Sequence, residues 1–250
     1  MAEPKKQRPG EATLVWERRE PAPRPAPEPL SRDRIVRVAI EIADAEGLAS
    51  VSLRKVADAL GAGPMRLYGY LSTKAELLEL MVDVVYGEMA PATQPSTTAA
   101  PMHWRDALRS IAQCMRAAAR RHGWFIELLG GRPHQGPNAL AHLEATLSAL
   151  SGPGAFDDID DVMQAARTVN AYVIGALQSE ASEGRAERDT GLNKAEWQAA
   201  TGAYLHRMIA TGRFPTMEKV VRDATHPSAD IVFEQGLDWV LDAIAVRLAR

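Results

Sequence analysis

The sequence has little of several features that mark particular classes of protein. It contains a single cysteine, Cys114, in 250 residues, so no internal disulfide can form and nothing indicates an oxidising compartment. No apolar run approaches the roughly 18 residues of a membrane span. The first residues carry positive charge but no apolar core behind it, so a secretory signal is not expected. These absences favour a cytoplasmic globular protein with one large domain or two small ones.

Sequence motifs for catalysis and for metal binding are also missing. The sequence has no G-x-S-x-G, Walker A or G-x-G-x-x-G pattern, and its six histidines form no close set of ligands at metal spacing. The acidic run at residues 157–161 is explained by its place in the first turn of a helix. We therefore expect no catalytic residues, no metal and no cofactor, and we do not expect an enzyme.

Proline is scarce except in two short stretches. Seven of the 16 prolines lie in residues 1–30 and three in residues 91–101, which leaves six for the rest of the chain. Clustered proline cannot form the interior of a helix. The sequence thus predicts a flexible Pro-rich arm at 1–29, a first domain at 30–90 and a larger second domain at 102–250.

Apolar residues elsewhere recur at helical spacing, and no convincing strand is found. Ser31 and Ser52 are suitable N-caps, Gly47 is a suitable C-terminal stop, and Thr73 to Glu76 reads as a capping box. The fold class predicted is all-α. The helices expected are 31–46, 52–60, 64–71, 73–85, 104–122, 125–129, 138–150, 157–183, 192–211 and 228–250.

Two short predicted helices, 52–60 and 64–71, are joined by a turn that contains Gly61 and Gly63. This arrangement is typical of a helix-turn-helix, although plain helical proteins contain it as well. Between Ser52 and Lys74 the sequence has four basic residues and one acidic residue, a local charge of +3 in a chain of net charge -3. A local surplus of this kind is what binding to DNA phosphates requires.

The run VSLRKVADALGAGPMRLYGYLSTKAELLELMVD resembles the DNA-binding domain of TetR-type regulators. The matching features are an arginine in the first helix of the motif, a glycine before the turn, an apolar–tyrosine pair and a lysine opening the next helix. Here these are Arg54, Gly61, Leu67-Tyr68 and Lys74. The family often has His then Phe where this chain has Tyr70 and Leu71, which puts individual contacts in doubt but not the fold.

The chain also resembles the tetracycline-repressor-type subgroup at both ends. Residues 233–244 are similar to the last helix of its C-terminal domain, and TLVWER before the Pro-rich run resembles actinobacterial members. The resemblance implies a helix-turn-helix three-helix domain, a larger ligand-binding and dimerisation domain, a homodimer and an effector pocket in each subunit. Trp16 either docks on the body of the protein or lies on an arm that touches DNA or the partner subunit.

Roles in DNA binding follow by matching positions to the motif. Arg66 is expected to read a base, since its guanidinium can grip guanine O6 and N7. Arg54 either contacts phosphate or pairs with Asp58 four residues on. The full predicted DNA-binding set is Ser52, Arg54, Pro64, Met65, Arg66, Tyr68, Gly69, Tyr70 and Lys74.

Aromatic and methionine residues of the C-terminal half are candidates for an effector pocket, although a residue of this kind is more often part of the core. The predicted set is Trp104, Met115, Trp124, Phe125, Tyr172, Trp197, Tyr204 and Met208, with Phe156 as a further candidate. Apolar stripes on helices 157–183 and 228–250 belong either to the chain's own core or to a dimer interface, and the resemblance favours the interface for part of both.

Taken together these patterns predict a transcriptional repressor that a small molecule releases from a palindromic DNA operator. Two other hypotheses stay open. One is an all-α small-molecule-binding protein or enzyme that kept the fold without DNA recognition, and the other is an architectural DNA-binding protein without a ligand.

Overall fold

The computed structural model describes residues 29–89, 103–152 and 154–249. Within these ranges the chain is helical and contains no β-strand, so the all-α prediction is confirmed. The predicted Pro-rich arm and the loop 91–101 lie almost wholly outside these residues. The helices are α1 (Arg32–Glu46), α2 (Leu53–Ala59), α3 (Pro64–Leu67), α4 (Lys74–Glu88), α5 (Trp104–Arg121), α6 (Pro137–Ser151), α7 (Ile159–Thr190), α8 (Lys194–Ile209), α9 (Pro215–Asp223) and α10 (Ala229–Leu248).

The first helix begins and ends where the capping residues predict. The Ser31 side chain accepts a hydrogen bond from the Arg34 backbone N–H at 3.2 Å, and Gly47 ends the helix with a φ of 84° that favours glycine. One face of α1 is buried, with Ile35 and Ala39 both fully inaccessible to solvent. This face packs against α2 and α4.

The helix-turn-helix forms at the predicted place, but its second helix is shorter than predicted. The Ser52 side chain caps α2 by accepting from the Lys55 backbone N–H, and Gly61 makes the turn with a φ of 63°. Pro64 opens α3, which ends at Leu67 instead of at Leu71. The backbone N–H groups of Tyr70 and Leu71 both bond to the Leu67 carbonyl, so the chain leaves the helix through a tight turn.

The capping box predicted at the start of α4 is only half present. Thr73 Oγ1 accepts from the Glu76 backbone N–H at 3.1 Å, as predicted. The Glu76 carboxylate, however, accepts from the backbone N–H of Ser72 at 2.7 Å, one residue before the cap. The prediction of a reciprocal pair was therefore wrong in its second bond, although Glu76 still satisfies a backbone donor next to the helix start.

The second half of the chain is built on the long helix α7, which packs against α5, α6 and α10. The helix runs to Thr190, seven residues beyond the predicted end at Glu183, and Gly191 ends it with a φ of 69°. Its buried side chains include Val162, Val169 and Leu177. A short 3-10 helix at Phe125–Leu128 fills the space between α4, α5 and α7.

Two helices, α8 and α9, bury none of their side chains. They pack chiefly against each other and form a helical hairpin at residues 194–223. The sequence analysis assigned no helix between residues 212 and 228 and so missed α9. Its apolar residues Met217, Val220 and Val221 are spaced for one helical face, and Pro215 lies in the first turn, where proline is tolerated.

The last helix has two apolar faces, one buried and one exposed. Leu237, Leu241 and Ile244 are buried in the chain's own core, as is Phe233. A second apolar face carries Val232, Trp239 and Val246, seven residues apart, and Trp239 is 77% exposed.

Among the described residues, no helix is long and apolar enough to cross a membrane, and no group of three or more His, Cys, Asp and Glu side chains is arranged to hold a metal ion.

Candidate nucleic-acid interface

The turn after α2, together with α3 and the start of α4, presents a row of exposed side chains. Met65 is 79% exposed, Tyr68 51% and Tyr70 38%, while Arg66 and Lys74 are also exposed. Leu67 and Leu71 point the other way and are fully or almost fully buried. The exposed residues are therefore carried on a backbone that two leucine anchors hold in place. We call residues 64–74 the recognition segment.

Three cations in or beside the recognition segment are not held in ion pairs. Within the described ranges, Arg54, Arg66 and Lys74 form no ion pair, and Arg54 does not pair with Asp58. Lys55 differs, because it pairs with Glu46 at the end of α1. The local charge of +3 that the sequence indicates is therefore concentrated on the three unpaired cations. Of the two alternatives for Arg54, the structure leaves the guanidinium available for phosphate.

The helix α4 joins this segment to the second half of the chain. The Asp83 carboxylate accepts hydrogen bonds from the backbone N–H groups of Asn138 and Ala139, both at 3.0 Å, and so caps the start of α6. One turn along α4, the ring of Tyr86 lies 5.1 Å from that of His142. Burial raises the pKa of Tyr86 to about 12 and lowers the pKa of His142 to about 4, so both rings are neutral at physiological pH.

The residues predicted to line an effector pocket differ in position and in burial. Trp104, Met115, Trp124 and Phe125 are all buried in the packed body around α5. Tyr172 is half-buried on α7, where its hydroxyl donates to the Phe233 carbonyl at 2.7 Å. Trp197 and Tyr204 are 54% and 61% exposed on the hairpin, and Met208 is half-exposed beside them.

A cavity of about 840 Å³ opens between α7, the start of α8 and the start of α10. Tyr172 is the only residue of the predicted pocket set that lines it. Its wall combines small and aromatic residues of α7 and α10 with polar residues that the prediction did not include. These are three carboxylates, an ammonium group and a histidine: Glu180, Glu183, Glu187, Lys194 and His226. The spacing of the three glutamates along one face of α7 was a signal in the sequence that could have identified this wall.

A helix-turn-helix with exposed cations, followed by a larger helical body, defines a DNA-binding regulator. Residues 97–248 match the family described as "Tetracyclin repressor-like, C-terminal domain". The chain therefore belongs to the TetR-type family of transcription regulators. This family and its regulatory function are those that the sequence analysis predicted.

Similar proteins agree with this assignment. The chain is 37% identical over 238 residues to the HTH-type transcriptional repressor DrrR1 of Streptomyces coeruleorubidus. The aligned region covers 95% of this chain and 85% of that protein. Among solved structures, apo ActR from Streptomyces coelicolor has a TM-score of 0.73 at 24% identity and covers 88% of this chain and 97% of its own. ActR in complex with actinorhodin has a TM-score of 0.73 at 25% identity, covering 89% and 100%.

Proposed function

We propose that this chain is a cytoplasmic repressor that binds a palindromic DNA operator as a homodimer, is released by a small molecule and catalyses no reaction. The proposal is based on the recognition segment. Its exposed cations form no ion pairs with other described residues, and its backbone is anchored by two buried leucines. The relative DrrR1 is itself named a transcriptional repressor. In this proposal residues 30–90 bind DNA and residues 102–250 bind the effector and form the dimer.

Individual roles at the DNA follow from chemistry and exposure. The Arg66 guanidinium reads guanine, and the 79% exposed Met65 contacts a thymine methyl group. Lys74 sits at the N-terminus of α4, where the helix amides add to its attraction for phosphate. Further phosphate contacts come from the hydroxyls of Ser52, Tyr68 and Tyr70 and from the guanidinium of Arg54. Pro64 and Gly69 allow the backbone to approach the DNA bases closely.

The dimer interface is supported by the apolar side chains that the single chain leaves exposed. We define the C-terminal apolar surface as the exposed large apolar residues of the hairpin and of α10: Trp197, Tyr204, Phe214, Met217, Val220, Val221, Ile231, Val232, Trp239 and Val246. Large apolar side chains that a chain leaves exposed to solvent mark surfaces that contact other proteins. A dimer also meets the geometric need of the operator, since two recognition segments about 34–36 Å apart read one turn of DNA.

The effector site proposed is the cavity beside α7. Its volume is in the range of small-molecule sites, and it offers apolar and aromatic walls with a few charged groups. ActR has been solved in complex with actinorhodin, so at least one protein of similar fold takes a small organic ligand. A ligand that binds better to the form with low DNA affinity shifts the dimer away from the operator by that difference in affinity.

The experiment that tests the function is selection of sequences from random duplexes by the purified protein, followed by binding at increasing salt concentration. We expect an inverted repeat and a dissociation constant that rises steeply with salt. Candidate compounds are then screened for release of the selected duplex. An absence of any selected sequence would contradict the proposal and favour a binding protein or enzyme without DNA recognition. Specific binding that no compound releases would favour an architectural protein.

A further inference from the structure

A buried histidine lies between α1 and α4, the two long helices of the DNA-binding half. His122 follows the last residue of α5 and is only 5% exposed. Its Nδ1 lies 2.8 Å from Asp44 Oδ1 on α1, and its Nε2 lies 3.3 Å from Glu88 Oε2 on α4. One ring of the C-terminal body therefore contacts both long helices of the DNA-binding half. We call Asp44, Glu88 and His122 the carboxylate clamp.

Neighbouring side chains also donate hydrogen bonds to both carboxylates of the carboxylate clamp. The indole N–H of Trp124 donates to Asp44 Oδ1 at 2.7 Å, and Arg121 Nη1 donates to Glu88 Oε2 at 2.7 Å. The two carboxylates lie in the last turns of their helices, where the helix dipole disfavours negative charge. Neither carboxylate therefore stabilises its own helix, and the contact with the segment after α5 is what each of them contributes.

The C-terminal part of α5 is also bound to α7 and α10 of the body. Arg116 Nε and Nη2 donate to Glu180 Oε2 on α7 at 3.0 and 2.9 Å, and Arg120 Nε donates to Glu180 Oε1 at 2.6 Å. Arg116 and Arg120 also pair with Asp230 at the start of α10. The end of α5 is thus held by α7 and α10, and through His122 it holds α1 and α4.

We propose that His122 is a positioning residue for DNA binding. It fixes α1 and α4 relative to the body, and thereby sets the separation of the two recognition segments in the dimer. This inference rests on the proposed function, because the separation matters only if the chain binds two half-sites. A residue that merely stabilised the fold would weaken all DNA complexes alike, whereas a positioning residue sets which spacing of half-sites is preferred.

The test compares His122→Gln with a matched control, His134→Gln. A glutamine amide can donate to one of the two carboxylates but does not bridge both. His134 also links α4 to the body, through Glu79 at 2.8 Å and the Leu128 carbonyl at 3.1 Å, but it has no contact with α1. Charge-assisted hydrogen bonds change an equilibrium constant by about tenfold or more.

The first measurement is backbone hydrogen exchange of the full chain without DNA. In His122→Gln we expect exchange to rise about tenfold in the C-terminal halves of both α1 and α4, with α10 unchanged. In His134→Gln we expect α1 to keep its wild-type rate. Unchanged exchange in α1 of His122→Gln would overturn the inference. If His122→Gln fails to fold, as judged by circular dichroism, Glu88→Gln supplies a milder break of the same clamp.

The second measurement uses the operator selected by the wild-type protein and a duplex with one base pair inserted between its half-sites. The wild type should prefer the selected spacing, and His122→Gln should reduce that preference by about tenfold. His134→Gln should keep it. Faster exchange with an unchanged spacing preference would make His122 a stabilising residue only. If the wild type selects no palindrome, the proposed function fails, while hydrogen exchange still decides whether His122 holds α1 and α4.

Discussion

The recognition segment and the C-terminal apolar surface are both exposed, but they are built in opposite ways. In the recognition segment, exposed arginine, lysine and tyrosine side chains stand on Leu67 and Leu71, which the core buries. In the hairpin of the C-terminal apolar surface, 30 residues contribute no buried side chain at all. One surface is cationic and is anchored by buried leucines, and the hairpin of the other is apolar and contributes no buried side chain.

This difference indicates two kinds of partner. A polyanion is recognised by charges held at fixed positions, which is what the two buried leucines provide. An exposed tryptophan such as Trp239 contributes stabilising free energy only when another surface covers it and removes it from water. The proposal that the recognition segment meets DNA and the apolar surface meets a second copy of the chain follows from this contrast, and four substitutions test it.

The largest effect is expected for Trp239→Glu. If the apolar surface is the dimer interface, this change buries a charge in place of a central aromatic side chain. The dimer dissociation constant should rise roughly 1,000-fold, about 4 kcal/mol. Sedimentation equilibrium measures it, and circular dichroism should show an intact fold, since Trp239 is 77% exposed in the single chain. Leu140→Glu, at an exposed position on α6, is the control; a dimer that survives the first change would place the interface elsewhere.

Leu67→Ala should give the next largest effect, on the other surface. The side chain is fully buried beneath the recognition segment, so its truncation leaves a cavity and should lower the free energy of unfolding by about 3 kcal/mol. Urea denaturation measures this loss. The neighbouring Met65→Ala, at a 79% exposed position, should change it by less than about 0.5 kcal/mol. Equal losses would mean that the recognition segment has no buried anchor.

The two surfaces also differ in how far the sequence predicts them. Ser31, Ser52, Gly61 and Thr73 are local signals, because each acts on its own helix end through backbone conformation or a capping bond. They placed the first four helices correctly, apart from the end of α3. The extent of that helix depends on how Leu71 packs into the core, which no local pattern states.

The C-terminal half was predicted less well because apolar spacing does not say which surface covers an apolar face. Trp104 and Trp197 have similar local patterns, yet the body buries the first and leaves the second 54% exposed. The three glutamates of the cavity wall share that wall with residues of α10, which are distant in sequence. Likewise, His122 contacts both Asp44 and Glu88 only when α1, α4 and α5 are packed in the folded chain.

A smaller effect, on specificity, separates two cations of the recognition segment. Arg66→Ala should cost about 2 kcal/mol at one base pair of each half-site and relax the preference there. Lys74→Ala should weaken binding to all duplexes alike and lower the slope of log K against log salt by about one. Competition binding with single-base operator variants measures both. If Arg66→Ala lowered affinity equally for every sequence, its role as a base reader would be wrong.

The smallest effect is expected for Trp197→Ala, and it sharpens the contrast most directly. At concentrations where the chain is monomeric, Trp197 is 54% exposed and the hairpin contains no fully buried side chain, so the free energy of unfolding should change by less than about 1 kcal/mol. Trp124→Ala, which empties a buried position of the body and frees Asp44, should cost about 3 kcal/mol or more. Urea denaturation of the two variants compares them. A comparable loss for Trp197 would show that the hairpin packs on its own chain, and the apolar surface would then need no partner.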